Sequence, residues 1–444
     1  MSFKFVDLFA GIGGFHAALT AAGGECVYAV EIDKAAASVY ERNWGMNPLG
    51  DITLDANDES VVVPDHDVLC AGFPCQPFSK SGAQRGMEET RGTLYWNILR
   101  IVEEKRPSVV ILENVRNLAG PRHRHEWQVI VETLRLEGYR VSEVPAIFSP
   151  HLLPPDRGGR PQVRERVFIT ATRLPKRTRF DLEAEPAVSN RSVGGWDPMT
   201  WNLEDDLPLE SNHAVEGCEL SSSERLWIDA WDDFVRTMRR ERKGRRLPGF
   251  PLWADEWKEL DRRRLRIEPK WKADYLVKNA EFYRAHKRTL DRWTKRWGVY
   301  TDDFPASRRK LEWQAQDTSG LWDAVLHFRP SGIRAKAPTY LPALVAITQT
   351  SVIGTRERRL SPREAARLQG LPDWFNFGDQ PTSTTYRQLG NGVSVGAVWH
   401  VLRSHVARDE EILKRTCPEL VLDVLSAPPS PDGRLKKMKP RKIK

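Results

Sequence analysis

Short apolar runs alternate with amphipathic segments through the first 172 residues, and this alternation leaves few possible folds. The strand-like runs read FKFVDLFA, CVYAVEID, DVLCAGF and SVVILENV, and the segments FHAALTAAGG, KAAASVYERNW and TLYWNILRIVEE predict helices. In the last of these, five apolar side chains share one helical face: Leu94, Tyr95, Ile98, Ile101 and Val102. Two later strand candidates read YRVSEVPAIF and RVFITATR. Repeated strand–helix–strand units predict an α/β fold with a doubly wound sheet, which binds ligands at the carboxyl ends of its strands.

Near residue 174 the alternation of apolar and amphipathic segments gives way to an irregular sequence of mixed charge. This change predicts a second, smaller domain over residues 174–377. Residues 378–412 predict a C-terminal helix that returns to the first domain, residues 1–173. The insert is charged, with basic runs such as RTMRRERKGRR and DRRRLR, which we expect to contact phosphate. It is also rich in tryptophan, and we expect core packing from these: Trp227, Trp231, Trp253, Trp257, Trp271, Trp293 and Trp297.

Most of the net charge of +8 comes from the C-terminus. The last eleven residues, RLKKMKPRKIK, carry seven basic side chains and no acid, which leaves a charge of +1 for the rest of the chain. We therefore predict a basic, disordered tail over residues 413–444 that adds non-specific phosphate affinity.

The chain carries no sequence signal for secretion or for a membrane. No run of about 18 apolar residues occurs, and the first residues lack the pattern of a signal peptide. Mean hydropathy is −0.52, and the five cysteines are odd in number and scattered, which argues against a disulfide framework. These features predict a cytoplasmic protein with no membrane segment.

A glycine-rich turn follows the first predicted strand. The sequence DLFAGIGGF runs from Asp7 to Phe15 and places backbone N–H groups near a helix N-terminus. Glu31 ends the second strand, where an acid can accept hydrogen bonds from ribose hydroxyls. We predict a ligand that contains adenosine. A nicotinamide dinucleotide stays possible, although the third glycine of the dinucleotide fingerprint is absent, and so does a turn without a ligand.

The sequence GFPCQPFS encloses one cysteine between two prolines, which stiffen the backbone on both sides of Cys75. Cys75 follows a predicted strand at the ligand-binding edge of the sheet, whereas Cys70 lies within the strand and is expected to be core. No second pair of ligands lies near these two cysteines, so we predict no metal site. No nearby histidine identifies a base for a Cys–His dyad.

An acid and two arginines complete the candidate chemistry. Glu113, in ENV, ends a buried strand, where partial desolvation raises the pKa of a carboxyl group and suits a general acid. In PQVRERVF, a strand that begins near Arg164 would place Arg164 and Arg166 on one face, and paired arginines bind phosphates or base carbonyls well. The alternatives are a helix cap or surface acid for Glu113 and a solvated strand edge for the arginines.

In this order, these elements resemble the C5-cytosine DNA methyltransferases. The resemblance covers most of residues 4–172 and resumes over 359–400. It rests on eight motifs: DLFAGIGGF, GDI, GFPCQPFS, RGTLYW, ENV, QVRERVF, RLSPREAARLQGLPD and GNGVSV. It implies a catalytic domain over 1–173, with S-adenosyl-L-methionine as cofactor, and a target recognition domain over 174–377.

The resemblance also implies site residues. Cys75 attacks C6 of a flipped-out cytosine, Glu113 stabilises N3, and Arg166 binds O2 with support from Arg164. Asn391 brings the C-terminal helix back to the cofactor side. The implied cofactor residues are Phe9, Gly11, Gly13, Gly14, Glu31, Ile32, Asp51, Ile52, Pro74, Leu94, Asn391 and Val393.

The implied partner is double-stranded DNA, with a monomeric enzyme near the nucleoid and a restriction endonuclease as its functional counterpart. The segment SKSGAQRGMEETRGT would be a loop that closes over DNA through Ser79, Ser81, Gln84, Arg91 and Thr93. The sequence departs from the family's pattern in SPHLLPPDRGGRPQVRER, which is longer and more basic, and in PTYLPALVAITQTSVIG, where no threonine adjoins Leu344.

Three other functions stay open at the level of sequence. The same chemistry could act on tRNA, although the long insert argues against this. A DNA-binding relative without activity is disfavoured by the presence of Cys75, Glu113 and Arg166 together. A nicotinamide-dependent oxidoreductase is disfavoured by the imperfect glycine fingerprint.

Overall fold

A computed structural model describes residues 2–74, 93–176, 180–211, 214–344 and 350–439. The chain divides into two compact units, of which the first contains residues 1–201, 342–348 and 362–444. The second contains residues 202–341 and 349–361. No described helix has the length and the apolar character that a membrane crossing needs.

The first unit is built on a seven-stranded sheet. Its strands are β1 Lys4–Leu8, β2 Glu25–Val30, β3 Val68–Gly72, β4 Val109–Val115, β5 Tyr139–Val141, β6 Ala146–Phe148 and β8 Arg166–Arg173, and the short β7 spans Gln162–Val163. The order is β2-β1-β3-β4-β8-β5, with β6 also paired to β8. The first four strands pair in parallel, while β8 is antiparallel to β4, β5 and β6. The predicted α/β class is confirmed, and the strand order reverses at β1, where such sheets bind ligands.

Helices connect the parallel strands as the apolar periodicity predicts. They are α1 Gly14–Ala21, α2 Lys34–Trp44, α3 Ile52–Asp55, α4 Leu94–Lys105 and α5 Arg124–Leu136. On α4, the predicted apolar face lies in the core: Tyr95, Ile98, Ile101 and Val102 are buried, and Leu94 is half-buried. Cys70 is fully buried within β3, as predicted.

The second unit combines a sheet with long helices. The helices are α6 Leu203–Asp206, α7 Ser222–Glu241, α8 Arg262–Ile267 and α9 Lys270–Trp297. The six strands of its sheet run in the order β15-β14-β11-β12-β10-β9. Their bounds are β9 Leu252–Trp253, β10 Lys310–Gln314, β11 Val325–Arg329, β12 Gly332–Lys336, β14 Val352–Ile353 and β15 Arg358–Arg359, and a separate short strand, β13, spans Leu341–Pro342.

Aromatic side chains form much of the second unit's core. Trp231, Trp257 and Trp293 are buried together, while Trp227 and Trp297 pack against them. These five tryptophans confirm the expectation of core packing. Trp253 is half-buried, and Trp271, with 60% of its surface exposed, lies outside the core.

The predicted disordered tail is wrong for the described residues 413–439. The C-terminal region forms α10 Pro362–Gln369, α11 Thr382–Asn391, α12 Val395–Arg408, α13 Glu410–Thr416, α14 Pro418–Ser426 and α15 Asp432–Lys437. Leu420, Val424 and Leu435 are buried, and Arg434 Nη1 donates to the carbonyl oxygen of Ala21 at 2.8 Å. Apolar residues at helical spacing fold this segment despite its positive charge, because burial of their aliphatic side chains stabilises the packed helices.

The predicted domain boundaries also differ from the two units. Residues 174–201 and 362–377 were expected in the second domain, but both belong to the first unit. Gln369 of α10 donates to the carbonyl oxygen of Leu389 in α11 at 2.8 Å, which ties these two helices together. The change in sequence pattern near residue 174 therefore marks where the regular α/β alternation ends, not where the compact unit ends.

Candidate active site

The carboxyl ends of β1, β2, β3 and β4 surround a cavity of about 510 Å³ in the first unit. Segments of the C-terminal helices also line it. Eleven of the twelve expected cofactor residues lie on its wall: Phe9, Gly11, Gly14, Glu31, Ile32, Asp51, Ile52, Pro74, Leu94, Asn391 and Val393. Glu113 and Arg166 lie on the same wall.

The glycine-rich turn has the backbone that its sequence requires. Gly11 has φ of 55° and Gly13 has φ of 92°, values that favour glycine, and Phe9 also adopts φ of 55° although it is not a glycine. A Cβ on Gly13 would lie 2.1 Å from the indole nitrogen of Trp44. Gly13 is the one expected cofactor residue outside the cavity lining, and its lack of a Cβ allows this close packing against Trp44.

Glu31 fixes the shape of this turn. Its Oε2 accepts a hydrogen bond from the Gly11 N–H at 2.8 Å, and its Oε1 accepts one from the Asp33 N–H at 2.8 Å. A carboxylate has about four acceptor positions, so each oxygen can accept a further bond from a hydroxyl in the cavity. Glu31 is thus a structural brace that keeps free acceptor positions toward the cavity.

Two further acids lie around the cavity as helix caps. Asp33 Oδ1 accepts from the Ala35 and Ala36 N–H groups at the start of α2. Asp51 Oδ1 accepts from the Thr53 N–H at 2.9 Å at the start of α3. Together with Glu31 they give one side of the cavity a negative character, which suits a cationic ligand with hydroxyl groups.

Glu113 and Arg166 form a buried pair where β4 meets β8. Arg166 Nε lies 2.8 Å from Glu113 Oε1, and 8% of the glutamate side chain is exposed. Burial raises the pKa of Glu113 above its ordinary value, while Arg166 and Arg164 oppose that rise. The carboxyl group can therefore hold a proton at a higher pH than a surface glutamate.

The backbone that leads into Cys75 is fixed at the same edge. Gly72 lies opposite Glu113 in the parallel pairing of β3 and β4. Asn114 Nδ2 donates to the carbonyl oxygen of Phe73 at 2.9 Å, which ties the two strand ends together. Pro74 is the last residue described before a gap, so Cys75, Ser79, Ser81, Gln84 and Arg91 lie outside the described residues.

Thr93 resumes the described chain and caps α4. Its hydroxyl accepts from the Trp96 N–H at 3.4 Å. The side chain expected to contact DNA therefore helps to begin a helix.

Arg164 does not share a strand face with Arg166, because β8 begins at Arg166. Arg164 is 1% exposed, and its guanidinium donates to the carbonyl oxygens of Leu344, at 3.2 Å, and of Gly390, at 2.9 Å. It also donates to the Gly392 carbonyl oxygen. Burial, followed by the charge of Arg166, lowers the pKa of Arg164 to about 9. The arginine thus braces the backbone on both sides of Asn391, and the expected shared face is wrong.

Several cavity residues were not anticipated from the sequence. Arg387 and Gln388 lie on α11, immediately before GNGVSV, and Asn114 lies inside ENV. Arg387 Nη2 lies 3.5 Å from Asp33 Oδ2 across the cavity mouth. In the sequence, these residues were marked only by their position in or near a motif. Such a position does not show which side chains point into a cavity.

The chain is similar to known proteins over most of its length. The sequence model of the family described as C-5 cytosine-specific DNA methylase matches residues 3–407. Type II methyltransferase M.AluI of Cellulosimicrobium cellulans is 54% identical, over 93% of this chain and 94% of that protein. Type II methyltransferase M.HhaI of Haemophilus parahaemolyticus is 32% identical, over 90% of this chain and 92% of that protein. A crystal structure of a DNMT2 mutant from Spodoptera frugiperda aligns with 17% identity and a TM-score of 0.45, over 91% of this chain and 99% of that chain.

Proposed function

Because the chain belongs to the C-5 cytosine-specific DNA methylase family, we propose that it transfers a methyl group from S-adenosyl-L-methionine to C5 of a flipped-out cytosine in a specific duplex DNA site. The observation that carries this proposal is the buried pair of Glu113 and Arg166. The pair lies on the wall of a cavity with acceptors for an adenosine ligand, and Pro74, the residue before Cys75 in the sequence, lies on the same wall.

The residues that line the cavity support this choice of cofactor. Glu31 would accept from the ribose hydroxyls, Asp51 would approach the adenine amino group, and Phe9 would contact the adenine ring. Gly14 lets the first helix approach Val393, since a Cβ there would lie 2.6 Å from a Val393 methyl carbon. When bound, the cofactor supplies an electrophilic methyl group.

The protein's own residues prepare the cytosine for methylation. The Cys75 thiolate forms a bond to C6, and electron density moves toward N3, where the protonated Glu113 donates its proton. Arg166 binds O2 of the base and keeps Glu113 oriented through the contact at 2.8 Å. After methylation, the C5 proton passes to solvent, and the electron pair of the C5–H bond forms the C5–C6 double bond. The C6–S bond then breaks to release the Cys75 thiolate, and the proton on N3 returns to Glu113.

The biological setting follows from the relatives. Both curated relatives described above are named as type II methyltransferases. We propose that the protein protects DNA from a cognate restriction endonuclease, and that it acts as a monomer in the cytoplasm.

Transfer of a labelled methyl group tests the proposed substrate. Purified protein is incubated with S-adenosyl-L-methionine carrying a labelled methyl group and with either mixed-sequence duplex DNA or bulk tRNA. We expect label in the DNA, at C5 of cytosine after hydrolysis to nucleosides, and none in the tRNA. Label in tRNA alone, or none in either substrate, would contradict the proposal.

A further inference from the structure

One face of the second unit's sheet carries four cationic side chains and a single acid. Along β10, β11 and β12, alternate residues point into the unit's core: Leu311, Trp313, Leu326, Phe328, Ile333 and Ala335. The residues between them lie on the opposite face. We name its charged and titratable part the cationic sheet face: Lys310, Glu312, His327, Arg329, Arg334 and Lys336. Gln314 and the fully buried Val325 lie on the same side of the sheet.

Strand pairing assembles this face from residues that are distant in sequence. Glu312 on β10 lies beside Arg334 on β12, and Arg334 lies opposite His327 on β11. Lys310 lies opposite Trp253 of β9, at the edge of the sheet. No basic run in the sequence marks these positions, because the cations come from three separate strands.

The positive charge of the face is only partly neutralised. Glu312 Oε2 lies 2.8 Å from Arg334 Nη2 and 4.0 Å from Arg329 Nη1, so one carboxylate is shared by two guanidiniums. Across the described chain, Lys310 and Lys336 have no carboxylate within 4 Å. The face therefore presents a net positive potential.

The buried part of the face lacks partners as well. His327 Nε2 is buried and, among the described residues, has no hydrogen-bond partner. Burial, followed by the charges of Lys336 and Arg334, lowers the pKa of His327 to about 4. The pKa of Lys336 is also lowered, by burial and by Arg334. Clustered like charges of this kind are relieved when an anion binds.

Part of the basic runs expected to contact phosphate pairs with groups of the second unit itself. Arg246 pairs with Asp317 at 2.7 Å, and Arg264 pairs with Glu256 at 2.8 Å. Arg239 donates to the carbonyl oxygen of Thr318. These arginines stabilise connections within the unit, in contrast to the lysines of the cationic sheet face.

We propose that the cationic sheet face is the surface of the second unit that binds the phosphodiester backbone of duplex DNA. This inference rests on the proposed function for its choice of anion. Lysine and arginine on adjacent strands can contact successive phosphates, while the core on the reverse side keeps the sheet rigid.

Salt dependence of DNA binding tests the assignment with matched variants. The face variant combines Lys310→Gln, Arg329→Gln and Lys336→Gln. The control combines Arg240→Gln, Arg263→Gln and Arg266→Gln, which removes the same charge from exposed positions in the basic runs. Fluorescence anisotropy with a labelled mixed-sequence 30-base-pair duplex, between roughly 50 and 200 mM salt, gives the slope of log K against log salt. We expect the slope of the face variant to fall by about 0.9 for each lost contact, and that of the control to stay at the wild-type value.

A variant that binds duplex DNA more tightly than wild type distinguishes a change in DNA contacts from a damaged fold. Glu312→Gln removes the single acid of the face and frees Arg334 and Arg329 from it. We expect tighter duplex binding and a steeper salt slope than in wild type, which a misfolded protein would not give. Equal slopes for the face and control variants, or weaker binding by Glu312→Gln, would overturn the inference.

The wild-type assays distinguish the two proposals. A wild-type protein that methylates DNA, while the face variant keeps its salt slope, would overturn only the assignment of the face. A wild-type protein that binds the duplex through this face but transfers no methyl group would overturn the proposed function and leave the surface assignment standing.

Discussion

Glu113 is the described residue on which the proposed chemistry most depends. Burial raises its pKa, so the proton needed at N3 is present at low pH and is lost as the pH rises through that raised value. We expect wild-type kcat to fall on the alkaline side of this ionisation. Glu113→Gln should reduce kcat by about a hundredfold or more and remove this alkaline ionisation from the profile. Wild-type turnover in the variant would refute the role of Glu113.

Cys75 is proposed as the nucleophile, and its substitution separates binding from chemistry. Cys75→Ser changes one atom, so we expect duplex affinity close to wild type. Covalent capture on duplex DNA containing 5-fluorocytosine should disappear, because serine at neutral pH is a far weaker nucleophile than a thiolate. Denaturing gel electrophoresis measures the captured complex. Capture at the wild-type level would show that another residue attacks the base.

Arg164 is predicted to act through the backbone around Asn391 and not on the base. Arg164→Met leaves buried carbonyl oxygens at Gly390 and Leu344 without a donor, at a cost of about 1–3 kcal/mol. We expect the KM for S-adenosyl-L-methionine to rise about tenfold, with partial rescue by Arg164→Lys and with kcat at saturating cofactor little changed.

Arg166→Lys is the comparison for that prediction, because Arg166 contacts Glu113 directly. This variant should lower kcat and covalent capture with little effect on the cofactor KM. If Arg164→Met instead abolished capture with an unchanged cofactor KM, Arg164 would belong with the base-contacting residues.

The contrast between the two arginines shows what a motif can and cannot predict. Spacing of two residues predicted a shared strand face, but the strand begins at Arg166. The acceptors of Arg164 lie 180 to 228 residues further along the chain, so local periodicity holds no information about them. The position of Glu31 on the cavity wall was predictable, because it depends on strand ends that meet at one sheet edge.

At the scale of elements, the C-terminal helices decide whether the basic end of the chain is folded. Leu420 and Leu422 lie on the same helix, α14, and are 0% and 70% exposed. Leu420→Ala should lower the free energy of unfolding by about 2–5 kcal/mol, because it opens a cavity in the first unit. Leu422→Ala should change it by less than about 0.5 kcal/mol. Urea denaturation followed by circular dichroism measures both, and equal effects would show that α14 is not packed.

The same elements show why some predictions succeeded. Strands β1, β3 and β4 are short apolar runs buried on both faces, and such runs can be recognised in a single sequence. The tail was misjudged because its lysines and arginines dominate the composition, although Leu420, Val424 and Leu435 are spaced to pack. Net charge describes a segment's solvent preference only where no apolar face competes with it.

At the scale of the whole molecule, the two units differ in how far the sequence revealed their function. Much of the first unit's site consists of residues at or just after the carboxyl ends of β1 to β4, whose convergence follows from sheet topology. Arg166, at the start of β8, and the residues of the C-terminal helices do not follow from that rule. The second unit's cationic sheet face depends on which strands pair, and Lys310, Arg329 and Lys336 stand in no recognisable motif. Long-range pairing, not local pattern, determines that surface.

Bisulfite sequencing of DNA from cells that express the protein tests the central claim most directly, because it identifies methylated cytosines base by base. Cells with the Cys75→Ser variant serve as the control. We predict that cytosines at one position of one recurring duplex sequence resist conversion with the wild-type protein and convert fully with the variant. Complete conversion with the wild-type protein, or equal protection with the variant, would contradict a cytosine-5 methyltransferase that acts through Cys75.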